Sequence, residues 1–340
     1  MFWRKFVLTI LSIIVLATLV AGLEHLYFTK FKPHPSVKWG VNFSQYYAQQ
    51  KLGLGWKLAY LEILDQLKAK RVRLMAYWDL VQPDNFDNYN FSDLDWQIEE
   101  AGQRNVSVIL VIGYRVPRYP ECFSPEWLKE YPVDSQRQAR INMLKAEVEH
   151  FKKYGNIVAW QVENEYLLKI FGKCPPGNRD TLKSEMALVK SLDNRPVLLT
   201  TSGELSSWLQ EGTLADILGI SIYRTVWSGY WFYHGYRAYP LPPDFYRWKQ
   251  YYIEKFVDKV IVTEMQAEPW APGANELKDI SWQEQDKSMS LDKFNEALSF
   301  ASKTGIDEIY LWGAEWWWWR KAQGDDRFWE RAKEIIQAGN

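Results

Sequence analysis

The chain has 340 residues, with 41 basic and 42 acidic side chains and a formal net charge of −1. That balance excludes a nucleic-acid or polyanion partner held by bulk charge, and 47% hydrophobic residues in a chain of this length suit one large α/β domain. The outlier is aromatic content, 19 Trp, 20 Tyr and 16 Phe, whose flat apolar faces and polar edges suit sugars, a packed core or a membrane-interface belt equally.

The first element is Phe6 to Leu23, a run without charge, preceded by Arg4 and Lys5. It reads as a short transmembrane helix or the apolar core of a signal peptide. Basic residues ahead of it favour a cytoplasmic N-terminus, against which Lys30 and Lys32 follow the run. Val20-Ala21-Gly22 offers a small-residue cleavage site, but the run is long for a signal core, which favours an uncleaved anchor. Residues 1–5 then form a cytoplasmic N-terminus, 6–23 the transmembrane anchor or signal segment, 24–36 a tether stiffened by Pro33 and Pro35, and 37–340 the catalytic domain. The expected location is the cell membrane with that domain outside, or the exterior if the segment is cleaved.

Beyond the tether, short apolar runs alternate with helical patterns. The first predicted strand is Val37–Val41, followed by a helix over Trp56–Lys70 with Leu58, Leu61, Leu64 and Leu67 at helical spacing. Strand Val72–Ala76 precedes a helix over Ser92–Gln103, with Asp93 and Asp95 where the helix dipole favours acids. Strand Val106–Ile112 and helix Gln136–Lys153 come next, then strand Ile157–Val162 and helix Thr181–Leu192. Strand Val197–Thr201 has only Glu204–Gln210 as a following helix. Ile217–Ile222 pairs with helix Phe245–Val257, Val260–Thr263 with Leu291–Lys303, and Glu308–Trp312 with Asp326–Gln337. Several strands lack polar alternation, as strands buried on both faces do. Eight strand–helix units in sequence predict a closed (β/α)₈ TIM barrel. A doubly wound sheet would usually carry a glycine-rich phosphate loop, and neither GxGxxG nor GxxxxGK[ST] occurs.

In such a barrel, catalytic groups sit at the C-terminal ends of strands. Glu165 follows the fourth predicted strand and Glu264 the seventh. Two carboxylates facing each other across a barrel mouth are what a retaining glycosidase needs, one to attack the anomeric carbon and one to protonate the leaving oxygen and then deprotonate water. The expectation is Glu165 as acid/base and Glu264 as nucleophile. Position carries it, because the Asn-Glu dipeptide recurs at Asn275-Glu276 and Asn295-Glu296. Glu163, expected to point away from the barrel axis, and Glu268, expected in the loop, are the nearby competitors. No CxxC pair occurs and the four His are scattered, so neither metal nor cofactor is implied.

Set beside known families, the chain resembles the clan-A glycoside hydrolases, the superfamily of cellulases, mannanases and many β-galactosidases. Trp160-Gln161-Val162-Glu163-Asn164-Glu165-Tyr166 resembles the acid/base motif of retaining β-galactosidases. Arg73 looks like the second-strand arginine that holds the nucleophile, and Trp78-Asp79-Leu80-Val81-Gln82-Pro83 with Tyr89–Asp95 like the second loop and helix. Tyr223 matches a tyrosine that bonds the nucleophile, and Trp312 a tryptophan that floors the sugar subsite. The likeness runs from about Val37 to Gln337. Two departures stand out: Gly113-Tyr114 occupies the third strand end, where cellulase-like members often carry His, and Ser221-Ile222-Tyr223 replaces His-x-Tyr.

The resemblance implies substrate-binding roles for Arg73, Trp78, Asn164, Tyr223 and Trp312. Arg73, a fixed five-donor cation, would stabilise the Glu264 carboxylate, and Asn164 would donate to a sugar 2-hydroxyl. Tyr114, Trp227, Trp270 and part of Trp316–Trp319 are further subsite candidates, and the long loop from Gln266 to Asp286 would wall one end of the cleft. The barrel reading places Cys122 and Cys174 in neighbouring loops, where a disulfide is favoured over two free thiols. The expected partners are an oligo- or polysaccharide with β-linked sugars, cleaved by double displacement, and the membrane through the N-terminal segment. No protein partner is implied. The alternatives are an inactive, membrane-anchored carbohydrate-binding barrel and a transglycosylase remodelling surface glycans.

Overall fold

The computed structural model describes residues 2–28, 36–170, 172–230 and 233–339. Helix α1 (Phe2–Phe28) carries a bare apolar window, Trp3–Leu23, long enough to cross a membrane. It continues through residues 24–28 of the expected tether; the rest of that tether, with Pro33 and Pro35, lies outside the described residues, apart from residue 36.

The barrel opens with β1 (Lys38–Phe43), α2 (Trp56–Glu62) and β2 (Arg71–Met75). The helix expected over Trp56–Lys70 is α2 plus a wider π-type turn over Ile63–Leu67, closed by Lys68 in the left-handed region. The second unit has α3 (Trp78–Val81) and α4 (Ser92–Gln103), the third β3 (Ser107–Ile112) and α5 (Val133–Phe151), and the fourth β4 (Ile157–Val162) and α6 (Arg179–Leu192), whose N-terminus Asn178 caps by accepting from the Thr181 amide. Next come β5 (Val197–Ser202), the single turn α7 (Leu209–Gly212) and β6 (Ile217–Ile222). A hairpin of β7 (Thr225–Tyr230) and β8 (Tyr233–Ala238) leads into α8 (Pro243–Ile253) and β9 (Lys259–Gln266). The chain ends with α9 (Trp282–Met289), α10 (Leu291–Lys303), β10 (Glu308–Trp312), α11 (Ala314–Ala322) and α12 (Arg327–Ala338). The helix expected over Glu204–Gln210 shrinks to α7, while the hairpin, α9 and α11 have no counterpart in the sequence pattern.

Strands β1, β2, β3, β4, β5, β6, β9 and β10 pair in parallel and close into one eight-stranded barrel, with β10 returning to β1. Outward residues pack under the helices, where most of the core lies. Inside, Ile109, Ala159, Leu198, Ile261 and Tyr310 form a separate apolar layer from five strands. Gly40 makes room for it, since a Cβ there would come within 2.7 Å of the Tyr310 ring. The four-tryptophan run lies in and under α11: Trp316, Trp317 and Trp319 are buried, with Trp316 donating to Gln285 and Trp317 to the Ala267 carbonyl. This run is core, and none of it lines the cleft.

Candidate active site

One step toward the strands' C-terminal ends, the barrel interior turns polar. Arg73 of β2 is fully buried and donates to Gln161 Oε1 at 2.7 Å, Asn42 Oδ1 at 2.9 Å, Glu264 Oε1 at 2.9 Å and Asn164 Oδ1 at 3.0 Å. A guanidinium tolerates such burial only when its donors are taken and a carboxylate balances its charge. Asn164 Oδ1 also accepts from Gln161 and Thr200, which fixes the orientation of its amide.

Glu264 reaches this layer through a local irregularity. Alternation along β9 puts Val260 and Val262 outside and Ile261 inside, and would send Glu264 outward too. Instead β9 carries one extra residue against both neighbours. Ile220 and Ser221 of β6 face Val262 and Glu264, and Ile309 and Leu311 of β10 face Val262 and Met265. This bulge turns Glu264 inward. Its two oxygens accept from Arg73 and from the Tyr223 hydroxyl, the latter at 2.9 Å. Glu264 therefore lies within a strand that runs on to Gln266, not after its end as the sequence pattern suggested.

Glu165 is presented by a turn after β4 in which Glu163 and Glu165 have φ of 61° and 42°. Left-handed backbone at non-glycine residues is costly and persists when its surroundings hold it. Here Glu163 N donates to Ile112 O, Asn164 N to Arg115 O, and Glu165 N to Thr200 Oγ1 at 2.8 Å. Glu163 is turned away, accepting from the Tyr114 and Arg115 amides and from Arg140. Gly113 makes room for it, since a Cβ there would lie 2.6 Å from Glu163 Oε1. Glu268, the other competitor, is tied to Arg118, which also pairs with Glu315 at 3.1 Å.

Glu165 and Glu264 line one cavity with Glu121, Ser202, Glu204, Leu205, Ser221, Tyr223, Val226, Tyr239 and Trp270. Ser221 links the two: it neighbours Glu264 across the β6–β9 ladder, and its hydroxyl donates to Glu165 Oε1 at 2.7 Å. Burial first, then the negative charges of Glu264 and Glu121, push the Glu165 carboxyl up to about 8, while Ser221 pulls the other way. Glu121 is pushed up to about 7 by burial, opposed by its ion pair with Arg115. Glu204, pushed up to about 6 by burial, accepts from the Tyr246 hydroxyl and the Tyr223 amide and so fixes the backbone of Tyr223.

Of the sequence candidates, Glu165, Glu264, Tyr223 and Trp270 line the cavity, and Arg73 and Asn164 lie beneath it as supports. Trp78 does not: it is buried against Tyr114, Leu128, Ala139 and Met143, and its indole donates to Gln82. Trp312 does not line it either, because it packs with Met75, Tyr77 and Phe123 and carries the Arg118 guanidinium 4.1 Å from its ring centre. Tyr114 packs edge-on to Trp78, and Trp227 packs against His234 and Tyr236. Glu121, Ser202, Glu204 and Tyr239 carried no sequence signal. Ser221 was visible only as a departure from the His-x-Tyr pattern. Cys122 and Cys174 are joined by a disulfide with Cα atoms 5.5 Å apart, next to Glu121. Among the described residues, no cluster of His, Cys, Asp and Glu is arranged to hold a metal.

The fold and site define a (β/α)₈ barrel with a carboxylate presented by its fourth strand and another by its seventh. No family model matches the chain, and no curated protein sequence does. Solved structures share its fold. Xylanase 10B from Thermotoga petrophila, in complex with xylobiose, is 16% identical, with a TM-score of 0.55 over 82% of each chain. The GH5_18 protein from Bifidobacterium longum is 14% identical with a TM-score of 0.56, over 82% of this chain and 69% of that one. A β-galactosidase from Halorubrum lacusprofundi is 14% identical with a TM-score of 0.60; the match takes in 89% of this chain and 58% of the larger enzyme.

Proposed function

We propose that the protein is a retaining glycoside hydrolase acting on a β-linked saccharide, with Glu264 as nucleophile and Glu165 as acid/base. The observation that carries this reading is the unequal treatment of two carboxylates in one cavity. Glu264 is balanced by Arg73 and bonded by Tyr223, whereas Glu165 is buried without a cationic partner of its own and held up to about 8. Near neutral pH that keeps Glu165 protonated to donate, opposite a Glu264 carboxylate held by a cation and a hydroxyl, the division of labour that double displacement requires. The likeness in fold to glycosidases supports the same reading. In it, α1 is an uncleaved membrane anchor holding the barrel outside the cytoplasm, and no cofactor takes part.

The test is turnover on a panel of aryl β-glycosides and β-linked polysaccharides, with a 2-deoxy-2-fluoro glycoside as trapping reagent and peptide mapping of the adduct. The expected adduct is on Glu264; an adduct on any other residue overturns the assignment. Glu165→Gln should reduce turnover of substrates with poor leaving groups about 10²–10⁴-fold, the usual worth of a general acid. It should affect formation of the glycosyl-enzyme far less with an activated phenol, which leaves without a proton. Equal losses on both classes would remove Glu165 from the acid role.

The pH profile gives a second check. Activity needs protonated Glu165, so kcat/KM should fall on the alkaline side near pH 8. Ser221→Ala removes a donor to the charged form, raises that pKa and moves the limb to higher pH. Glu121→Gln removes a neighbouring negative charge and moves it to lower pH. Each shift should be about one unit or less. Shifts in the same direction would show that Glu165 does not set the limb.

A further inference from the structure

Surface helices of a soluble barrel turn an apolar stripe to the core and a polar face to water. Helix α8 breaks this rule. Its inner face buries Tyr246, Lys249 and Ile253. Its outer face and the turn after it expose Trp248, Tyr251, Tyr252 and Phe256, with Phe256 the most open at 56%. The neighbouring segment from β5 to α7 exposes Leu205 and Leu209. Between the two runs a groove of about 610 Å³ bordered by Leu209, Phe245, Trp248, Tyr252 and Phe256. At its end Lys255 lies 5.7 Å from the ring centre of Tyr251 and 5.9 Å from that of Tyr252. Rings pack edge to face within the patch, with Trp248 and Tyr252 centroids 5.1 Å apart.

Two observations say what covers this surface. Helix α1, whose bare apolar window is long enough to span a bilayer, comes up against α8. The composition of the patch, Trp and Tyr with a lysine at its edge, is the one that settles at the headgroup level of a membrane, where amphipathic rings keep one end apolar and one end wet. We infer that the α7–α8 face is a membrane-docking surface, which lies on the headgroup layer of the bilayer that α1 spans and fixes how the barrel sits on it. The inference rests on the reading of α1 as an anchor. It has a consequence for substrate access. The loop after β5 borders both sites, with Ser202, Glu204 and Leu205 on the catalytic cavity and Ser206, Ser207 and Leu209 on the groove. Docking therefore holds the cleft beside the membrane surface, where the polymer or lipid-borne glycan it meets is close to the bilayer.

The test uses the full chain in lipid vesicles. Cysteine is introduced singly as Phe256→Cys, Tyr252→Cys and Ser92→Cys and labelled with an environment-sensitive dye; the native cysteines are joined to each other and do not compete. Ser92 is the control, because it opens α4, which links β2 and β3 on the side of the barrel opposite the β6–β9 pair that α8 connects. Vesicles with a nitroxide on the lipid acyl chain near the headgroup should quench the Phe256→Cys and Tyr252→Cys labels severalfold more than the Ser92→Cys label, at every protein-to-lipid ratio. Equal quenching in a chain that resists carbonate extraction overturns the docking surface and leaves the anchor and the glycosidase reading standing. Shielding that grows with protein-to-lipid ratio assigns the face to a second copy and also overturns it. Release of the chain by carbonate removes the anchor, and the docking inference with it, without touching the glycosidase reading, which aryl-glycoside turnover and the trapping reagent decide on their own.

Discussion

Glu264→Gln should lower kcat on every β-glycoside tested by roughly 10⁴-fold or more, the scale seen when a covalent nucleophile is removed from an enzyme. The replacement keeps the shape of the side chain and one carbonyl oxygen to accept from Arg73, so the fold should survive and KM change little. On the proposed reading, what is lost is the oxygen anion that forms the bond to the anomeric carbon. A smaller companion sharpens the test. Glu264→Gly opens space beside Ser221 and Tyr223 into which azide can diffuse, and a small anion attacking from the nucleophile's side should restore turnover and give a glycosyl azide of inverted, α configuration. The same anion supplied to Glu165→Gly replaces water after the enzyme's own nucleophile has acted, and should give the β product. Mass spectrometry and proton coupling constants of the two azides check this. Azides of the same configuration from both variants would reverse or dissolve the assignment.

Arg73→Met should cost both stability and activity, for one physical reason. Arg73 is buried in the barrel and is hydrogen-bonded to Gln161, Asn42, Glu264 and Asn164. Methionine matches its length but donates nothing, so the Glu264 charge loses its partner and three amide oxygens lose a donor. Removing one member of a buried ion pair typically costs about 3–5 kcal/mol. In a domain of this size that corresponds to a Tm lower by roughly 5–8 °C, readable by calorimetry. Turnover should fall as well, because Glu264 and Asn164 are no longer held by a common donor. Arg73→Lys separates the two effects: it restores the charge but not the fork of donors, so it should recover most of the stability and little of the kcat. A lysine variant that recovers both would make Arg73 a charge partner only. The loss belongs to Arg73 as a positioning residue, since no atom of it lines the cavity.

These two predictions differ in how far the sequence alone reaches them. The eight strands were legible because buried parallel strands read as apolar β-branched runs, and several needed little adjustment; Glu308–Trp312 is β10 and Ile157–Val162 is β4. Order followed from topology, because successive strand–helix units can close in parallel only as neighbours. Elements without a strong period were missed, namely the β7–β8 hairpin, α9 and α11, the last because four consecutive tryptophans have no helical stripe. The aromatic candidates fared unevenly for a related reason. A large ring in a loop has the same sequence signature whether it faces a ligand or a neighbour, and Trp78 and Trp312 face neighbours.

What the sequence by itself determined is the barrel, its apolar N-terminal segment and the placing of Glu165 and Glu264 at two barrel strands, because local periodicity and position after a buried strand are properties of a short stretch of chain. What only the tertiary structure decided is how those glutamates are aimed. Glu264 enters the barrel through a bulge whose extra residue is defined only against β6 and β10. Glu165 hangs on a left-handed turn held by Ile112, Arg115 and Thr200 from other strands and loops. The hydroxyl at Ser221, which from sequence was a missing histidine, donates to Glu165 from the residue that pairs with Glu264 across the β6–β9 ladder. Each of these depends on residues far apart in the chain meeting at one level of the barrel, and local patterning holds no record of that meeting.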